Sequence, residues 1–159
     1  IWHKEKLRYQ LQFMKKNRYS ITHTSYNIKD TNNKIIGIRK AKIINNYKKL
    51  LNSCDIGLST VIIKKDILKK KNLKFPNLKT KEDYVLWLNL VKSGLSIYSL
   101  NKNLTTWKKI PGSLSSSSLQ KIFDGFTVYN QYMNFNILKS IYLVLILSLN
   151  FLKKTYRHS

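Results

Sequence analysis

Apolar residues recur along this chain with a helical period in some stretches and a strand period in others. Over residues 2–17 the spacing is helical. Leu7, Leu11 and Met14 fall at i, i+4 and i+7, and Lys and Arg fill the other face. Residues 19–28 are rich in β-branched and aromatic side chains and predict a strand. A turn cluster at 30–33 precedes an extended run at 34–44. Residues 47–52 predict a short helix, and "GLSTVII" at 57–63 predicts a buried strand. One exposed helical turn is expected at 66–71. The second firm helix is 82–93, apolar almost all round and so expected to be buried. Thr80 reads as its N-cap, with Asp83 three residues on as in a capping box, and Gly94 ends it.

Strands are predicted at 96–100 and 104–108, on either side of "NKN". A polar, flexible loop, "PGSLSSSS", follows at 111–118. A weaker helix is expected at 119–133 and a strongly apolar one at 137–152. This order predicts a mixed α/β fold, without the complete series of strand–helix units that a whole sheet would have. The serine loop divides the expected domain, residues 1–118, from a helical appendage, 119–159. The last helix is short for a membrane span, which stays the lesser alternative to packing on the domain or lodging at an anionic bilayer surface.

Charge changes the picture most. Thirty Lys and Arg stand against seven Asp and Glu, a formal net charge of +23 over 159 residues. Such a balance favours anionic partners, namely nucleic acid, an anionic membrane or phosphate-bearing substrates. The lysines spread through every segment, loops included, which also fits compositional drift. Cys54 is the single cysteine, so an internal disulfide is excluded. The first residues carry neither Met nor a signal-peptide pattern and read as an interior point of a longer chain.

Against so few acids, the paired carboxylates Glu82 and Asp83 stand out, followed by Tyr84, Trp87, Leu88 and Val91. One reading is helix capping, helped by the helix dipole. The other is a general base, its pKa raised by desolvation beside the aromatics, at the mouth of a sugar-binding cleft. His3, His23 and His158 are scattered, and no Asp-x-Asp pair or glycine-rich phosphate loop is present. The sequence thus offers no metal site and no evident place for a nucleotide diphosphate. The serine loop near Lys108 and Lys109 reads either as a phosphate- or acceptor-binding flap or as a linker.

Six segments taken together resemble one family. They are "IWHKEKLRYQLQFM", "YSITHTSYNIKDTNNK", "YKKLLNSCDIGLSTVIIKKDIL", "FPNLKTKEDYVLWLNLVKSG", "YSLNKNLTTWKKIPGSLSSS" and the helical tail. In this order they are similar to the C-terminal half of bacterial family 2 glycosyltransferases of capsular, teichuronic-acid and lipopolysaccharide synthesis. The resemblance implies the acceptor side of a GT-A, Rossmann-like fold. The nucleotide-binding half and its Asp-x-Asp metal motif, which would precede Trp2, would be missing. Asp83 would be the general base, with Glu82 beside it and Trp87 after the motif. Ser59, Thr60 and Val61 would line the cleft opposite. Trp107 and Lys108 stand where the family has Tyr-Arg, so phosphate would meet a point charge instead of a planar fork. Ser113 and Ser115 would belong to the flexible loop.

The implied activity is inverting transfer from a nucleotide-sugar donor to a cell-surface polysaccharide or lipid-linked acceptor, assisted by Mg or Mn. The implied place is the cytoplasm, peripheral at the inner face of the membrane. The chain alone would be inactive without the metal-binding half. The alternative is a basic module that binds nucleic acid or an anionic membrane without catalysis.

Overall fold

Strand β1 (Ile21–Lys29) is the centre of the sheet. The computed structural model describes residues 1–113 and 117–156. The first five residues of β1, from Ile21 to Ser25, are all buried, which suits their β-branched and small side chains. On one edge β1 pairs antiparallel with β2 (Ile35–Arg39) and with the two-residue β3 (Ile62–Ile63). On the other it runs parallel to β4 (Tyr98–Lys108). The result is a mixed four-stranded sheet in an α/β body.

Helix α1 (Lys6–Asn17) packs on this sheet with an unexpected face. Leu7 and Leu11 point outward and are about half exposed, whereas Lys6, Gln10 and Met14 are buried. The reason lies in hydrogen bonding. The Gln10 amide donates to the carbonyls of Thr22 and Thr60 and to the Thr22 hydroxyl, at 2.9–3.1 Å. Those bonds fix the helix rotation against its apolar period. Lys6 lies over the Trp2 ring, 4.3 Å from its centre. Trp2 itself stands before the helix, bridging to Thr105 on the outer edge of β4.

Two strand predictions change. Residues 57–63 form a 3₁₀ turn, Leu58–Thr60, before β3. The Thr60 backbone N–H and hydroxyl both donate to the Gly57 carbonyl, at 2.9 and 2.6 Å, and close the turn. The two strands expected around "NKN" are one strand, β4. Leu100 pairs with Thr24 and Asn103 with Ser25, so the turn-forming residues between them are taken up as a bulge. The Ser25 hydroxyl donates to the Asn101 side chain at 2.9 Å and locks that bulge.

Helix α4 (Glu82–Lys92) is the core helix; Tyr84 to Leu88, Leu90 and Val91 are all buried. Leu50 and Leu51 of α2 (Tyr47–Asn52) pack against it. The short α3 (Lys65–Lys70) lies at the surface, with no buried residue. After the serine loop come α5 (Ser118–Thr127), a π-helical turn (Val128–Tyr132) and α6 (Ile137–Tyr156). Val128, Tyr129, Met133, Leu143 and Val144 join the same core as α4. The Tyr84 and Tyr129 hydroxyls meet at 3.0 Å, and both reach the Leu51 carbonyl. Among the described residues, the segment expected as an appendage thus shares one core with α4 through these five side chains.

Candidate functional site

The site forms where the chain turns into α4. Lys81 occupies the N-cap position with a left-handed backbone, φ 65°, and makes no side-chain cap bond. A left-handed residue there is costly for lysine. It turns Thr80 away from the helix, so the expected capping box is absent. The Thr80 backbone N–H and hydroxyl donate instead to one carboxylate oxygen of Asp124 on α5, at 2.8 and 2.6 Å. Gln120 donates to the other oxygen at 2.9 Å. Asp124 is 6% exposed and fully engaged.

Asp83 has a different setting. It is partly buried in the first turn of α4. Its carboxyl is raised from the ordinary 3.8 to about 6. Burial is the main cause and the neighbouring Glu82 charge adds to it. The Tyr84 backbone N–H, the Lys81 ammonium and the Trp87 indole act in the opposite direction. The indole acts from outside ordinary hydrogen-bond geometry, since its N–H has no bonded partner. Asp83 is thus ionised at neutral pH yet basic enough to accept a proton.

Several neighbours were not singled out by the sequence. The Lys81 side chain runs beside Gly125 of α5, where a methyl group would meet its stem at 3.5 Å. Burial lowers its pKa, and the charges of Asp83 and Asp124 oppose that. Lys121 of α5 repels it, and Lys109 in turn repels Lys121. A run of ammonium groups therefore continues from Lys81 toward the end of β4. Burial and the Asp83 and Asp55 charges push the Cys54 thiol up to about 12, leaving it protonated. Burial pushes Tyr26 up to about 12 as well; Asp55 and Asp83 add to this and Arg39 opposes it. Lys81 adjoins the carboxylate pair in sequence, which was the available signal. Nothing in the spacing pointed to Tyr26 or Cys54.

The expected site residues divide into two groups. Trp2, Ser59 and Thr60 come together, since the Trp2 indole donates to the Ser59 carbonyl at 2.8 Å. The Tyr26 ring lies beside Gly57 at the base of that turn, where an added methyl group would meet it at 3.4 Å, and the Asp83 charge acts on its hydroxyl. Thr60, however, has no exposed surface, and its hydroxyl is spent on Gly57. It supports the wall from behind. Trp87 is 1% exposed within the core and is no platform for a sugar ring. Trp107 is exposed, and it and Lys108 end β4 opposite Ile28 and Lys29. Ser113 follows in the loop, and Ser115 lies outside the described residues. An open depression of about 400 Å³ is lined by Trp2, Lys4, Asn27, Asn103 and Thr105. A second, of about 340 Å³, lies beside Tyr19 and Tyr98. Neither is lined by Asp83. Among the described residues no three His, Cys, Asp or Glu side chains are grouped to hold a metal ion. The chain as described does not fit the divalent cation that the resemblance implies.

The class follows from comparison with known proteins: over nearly its whole length the chain is homologous to bacterial glycosyltransferases. It is 31% identical to the Escherichia coli enzyme WfgD, a UDP-Glc:α-D-GlcNAc-diphosphoundecaprenol β-1,3-glucosyltransferase, over 91% of this chain and 56% of that protein. WfaP of Escherichia coli, named for the same reaction, is 30% identical over 88% of this chain and 51% of its own length. TuaG of Bacillus subtilis, named as a teichuronic acid biosynthesis glycosyltransferase, is 26% identical over 96% and 60%. The chain thus spans about half the length of the curated relatives it matches. No family model matches it. These relatives do not favour the alternative of a basic module that binds nucleic acid or an anionic membrane without catalysis.

Proposed function

We propose that this chain is the acceptor-side part of an inverting, GT-A, family 2 glycosyltransferase of cell-envelope synthesis, with Asp83 as its general base. The observation that carries the reading is a partly buried carboxylate held near pH 6 at the start of the core helix. Asp83 takes the proton of the acceptor hydroxyl. That oxygen forms a bond to the anomeric carbon as the bond to the donor diphosphate breaks. The electron pair leaves on the diphosphate, and attack from the opposite side inverts the configuration. The Lys81 ammonium limits the rise in the Asp83 pKa and keeps the base ionised at neutral pH. Lys108, Lys109 and Lys121 supply a positive field for phosphate oxygens as point charges. Trp107 and Trp2 offer exposed aromatic faces.

The donor is a UDP-sugar and the acceptor a lipid-diphosphate-linked sugar, the classes named for WfgD and WfaP. The divalent cation and the nucleotide are held by residues outside this chain, so the 159 residues alone do not turn over. The test joins this chain to the part of WfgD that it does not cover. Transfer of glucose from UDP-glucose to GlcNAc-diphosphoundecaprenol is then measured with Asp83 intact and with Asp83→Asn. A loss of about 10²–10⁴-fold is expected for removal of a general base. Unchanged turnover of the variant would sink the assignment of Asp83.

A further inference from the structure

We propose that the outer face of α5 and α6 docks on an anionic phospholipid bilayer, lying in its headgroup layer. The surface and its charge carry this, whatever role Asp83 has. Helix α6 has two apolar stripes on opposite sides. Leu143 and Val144 are buried in the core, Leu147 packs against it, and Ser140 between the turns is fully buried. Leu138, Ile141, Tyr142, Leu145, Leu149 and Leu152 form the other stripe. They fall at i, i+3, i+4, i+7, i+11 and i+14, and are 46% to 80% exposed. At about 100° of rotation per residue this second set is one band, about 20 Å long, facing away from the core. Helix α5 adds Leu119, Ile122 and Phe123 at i, i+3 and i+4, all exposed. Apolar surface of this extent marks a docking face.

Charge selects the occupant. After Asp83 the chain contains a single acid, Asp124, and it is buried and bonded to Thr80 and Gln120. From residue 84 onward, therefore, no described carboxylate faces solvent to repel a phosphate headgroup. Lys139 and Lys153 stand exposed near the two ends of α6. The Lys139 ammonium lies 3.9 Å from the Phe135 ring centre. An apolar band edged by ammonium groups matches the boundary between headgroups and acyl chains. A second copy of the chain would bring the same cations against them. The helix lies on the bilayer because its other face belongs to the core. Among the described residues no helix is long and apolar enough to cross a membrane.

The test is co-sedimentation of the whole chain with vesicles. Binding to phosphatidylcholine mixed with phosphatidylglycerol should be about tenfold or more tighter than to phosphatidylcholine alone, and should weaken with salt. The double variant Leu145→Gln, Leu149→Gln should bind about tenfold or more weaker, since each leucine contributes apolar contact. Its thermal unfolding should be unchanged, because both side chains lie outside the core. Lys139→Gln with Lys153→Gln is the second variant, and should narrow the difference between the two vesicle types. Absence of binding to the mixed vesicles would overturn the proposal. So would undiminished binding of the leucine variant. So would a stable dimer, seen by sedimentation equilibrium, that the leucine variant dissociates while vesicles capture nothing.

Discussion

Asp83 and Asp124 are two carboxylates beside one lysine, and their surroundings give them opposite uses. Asp124 accepts from a backbone N–H, a hydroxyl and an amide, so its charge is matched by directed donors. It fastens α5 to the loop before α4. Asp83 is partly buried beside Glu82, and its pKa rises to about 6. Desolvation without full compensation makes a carboxylate basic, whereas a full set of donors makes it structural. Lys81 touches both settings through its charge, and its left-handed backbone keeps Thr80 on Asp124 and off α4. The strained residue thus separates the cap from the base.

The comparison can be broken most severely by turnover. In the joined enzyme, Asp83→Asn should lower the rate by about 10²–10⁴-fold, read by transfer from the UDP-sugar. Next comes Asp124→Ala, which orphans the Thr80 N–H and hydroxyl and the Gln120 amide. It should lower the stability of this chain by about 3 kcal/mol in urea unfolding. Loss of less than about 1 kcal/mol would show the network to be unimportant.

Asp83→Asn should have the opposite sign. Raising the carboxyl from 3.8 to about 6 opposes folding by about 2–3 kcal/mol once both states are ionised. Between pH 3.8 and about 6 the folded chain binds more protons than the unfolded one, so stability falls as pH rises through this window. The variant should therefore be stabilised by about 2 kcal/mol at pH 8 and by little at pH 4, in the same unfolding experiment. A variant that is equally stable at both pH values would contradict the desolvated setting. The smallest effect belongs to Lys81→Met, which keeps the stem beside Gly125 and removes the charge. The Asp83 titration, followed by carboxyl carbon NMR, should move above about 6. A downward movement would show that the ammonium does not act on Asp83.

Much of this architecture was readable in the sequence, and the failures share one cause. Helices at 47–52, 82–93 and 137–152 followed from local period, and the structure forms them. The face of α1 was misread because the Gln10 bonds to Thr22 and Thr60 reach 12 and 50 residues along the chain. The Thr80 cap was misread because Asp124, 44 residues later, captures the hydroxyl. Residues 57–63 have strand composition, yet Thr60 closes a tight turn on Gly57. Trp87 matched a site residue by its place after the carboxylate pair, but α4 is buried from Tyr84 to Leu88 and draws it into the core.

Composition and spacing by themselves determined the α/β order, the scarcity of acids, and the choice of positions 82 and 83 as the place to look. These are local properties, set by side-chain type and period along a few turns. Tertiary structure alone decided which carboxylate is satisfied and which is left basic, because donors and desolvation come from segments distant in the chain. It also decided that α6 turns one apolar face inward and another outward, since a helical period cannot say which of two stripes meets the core.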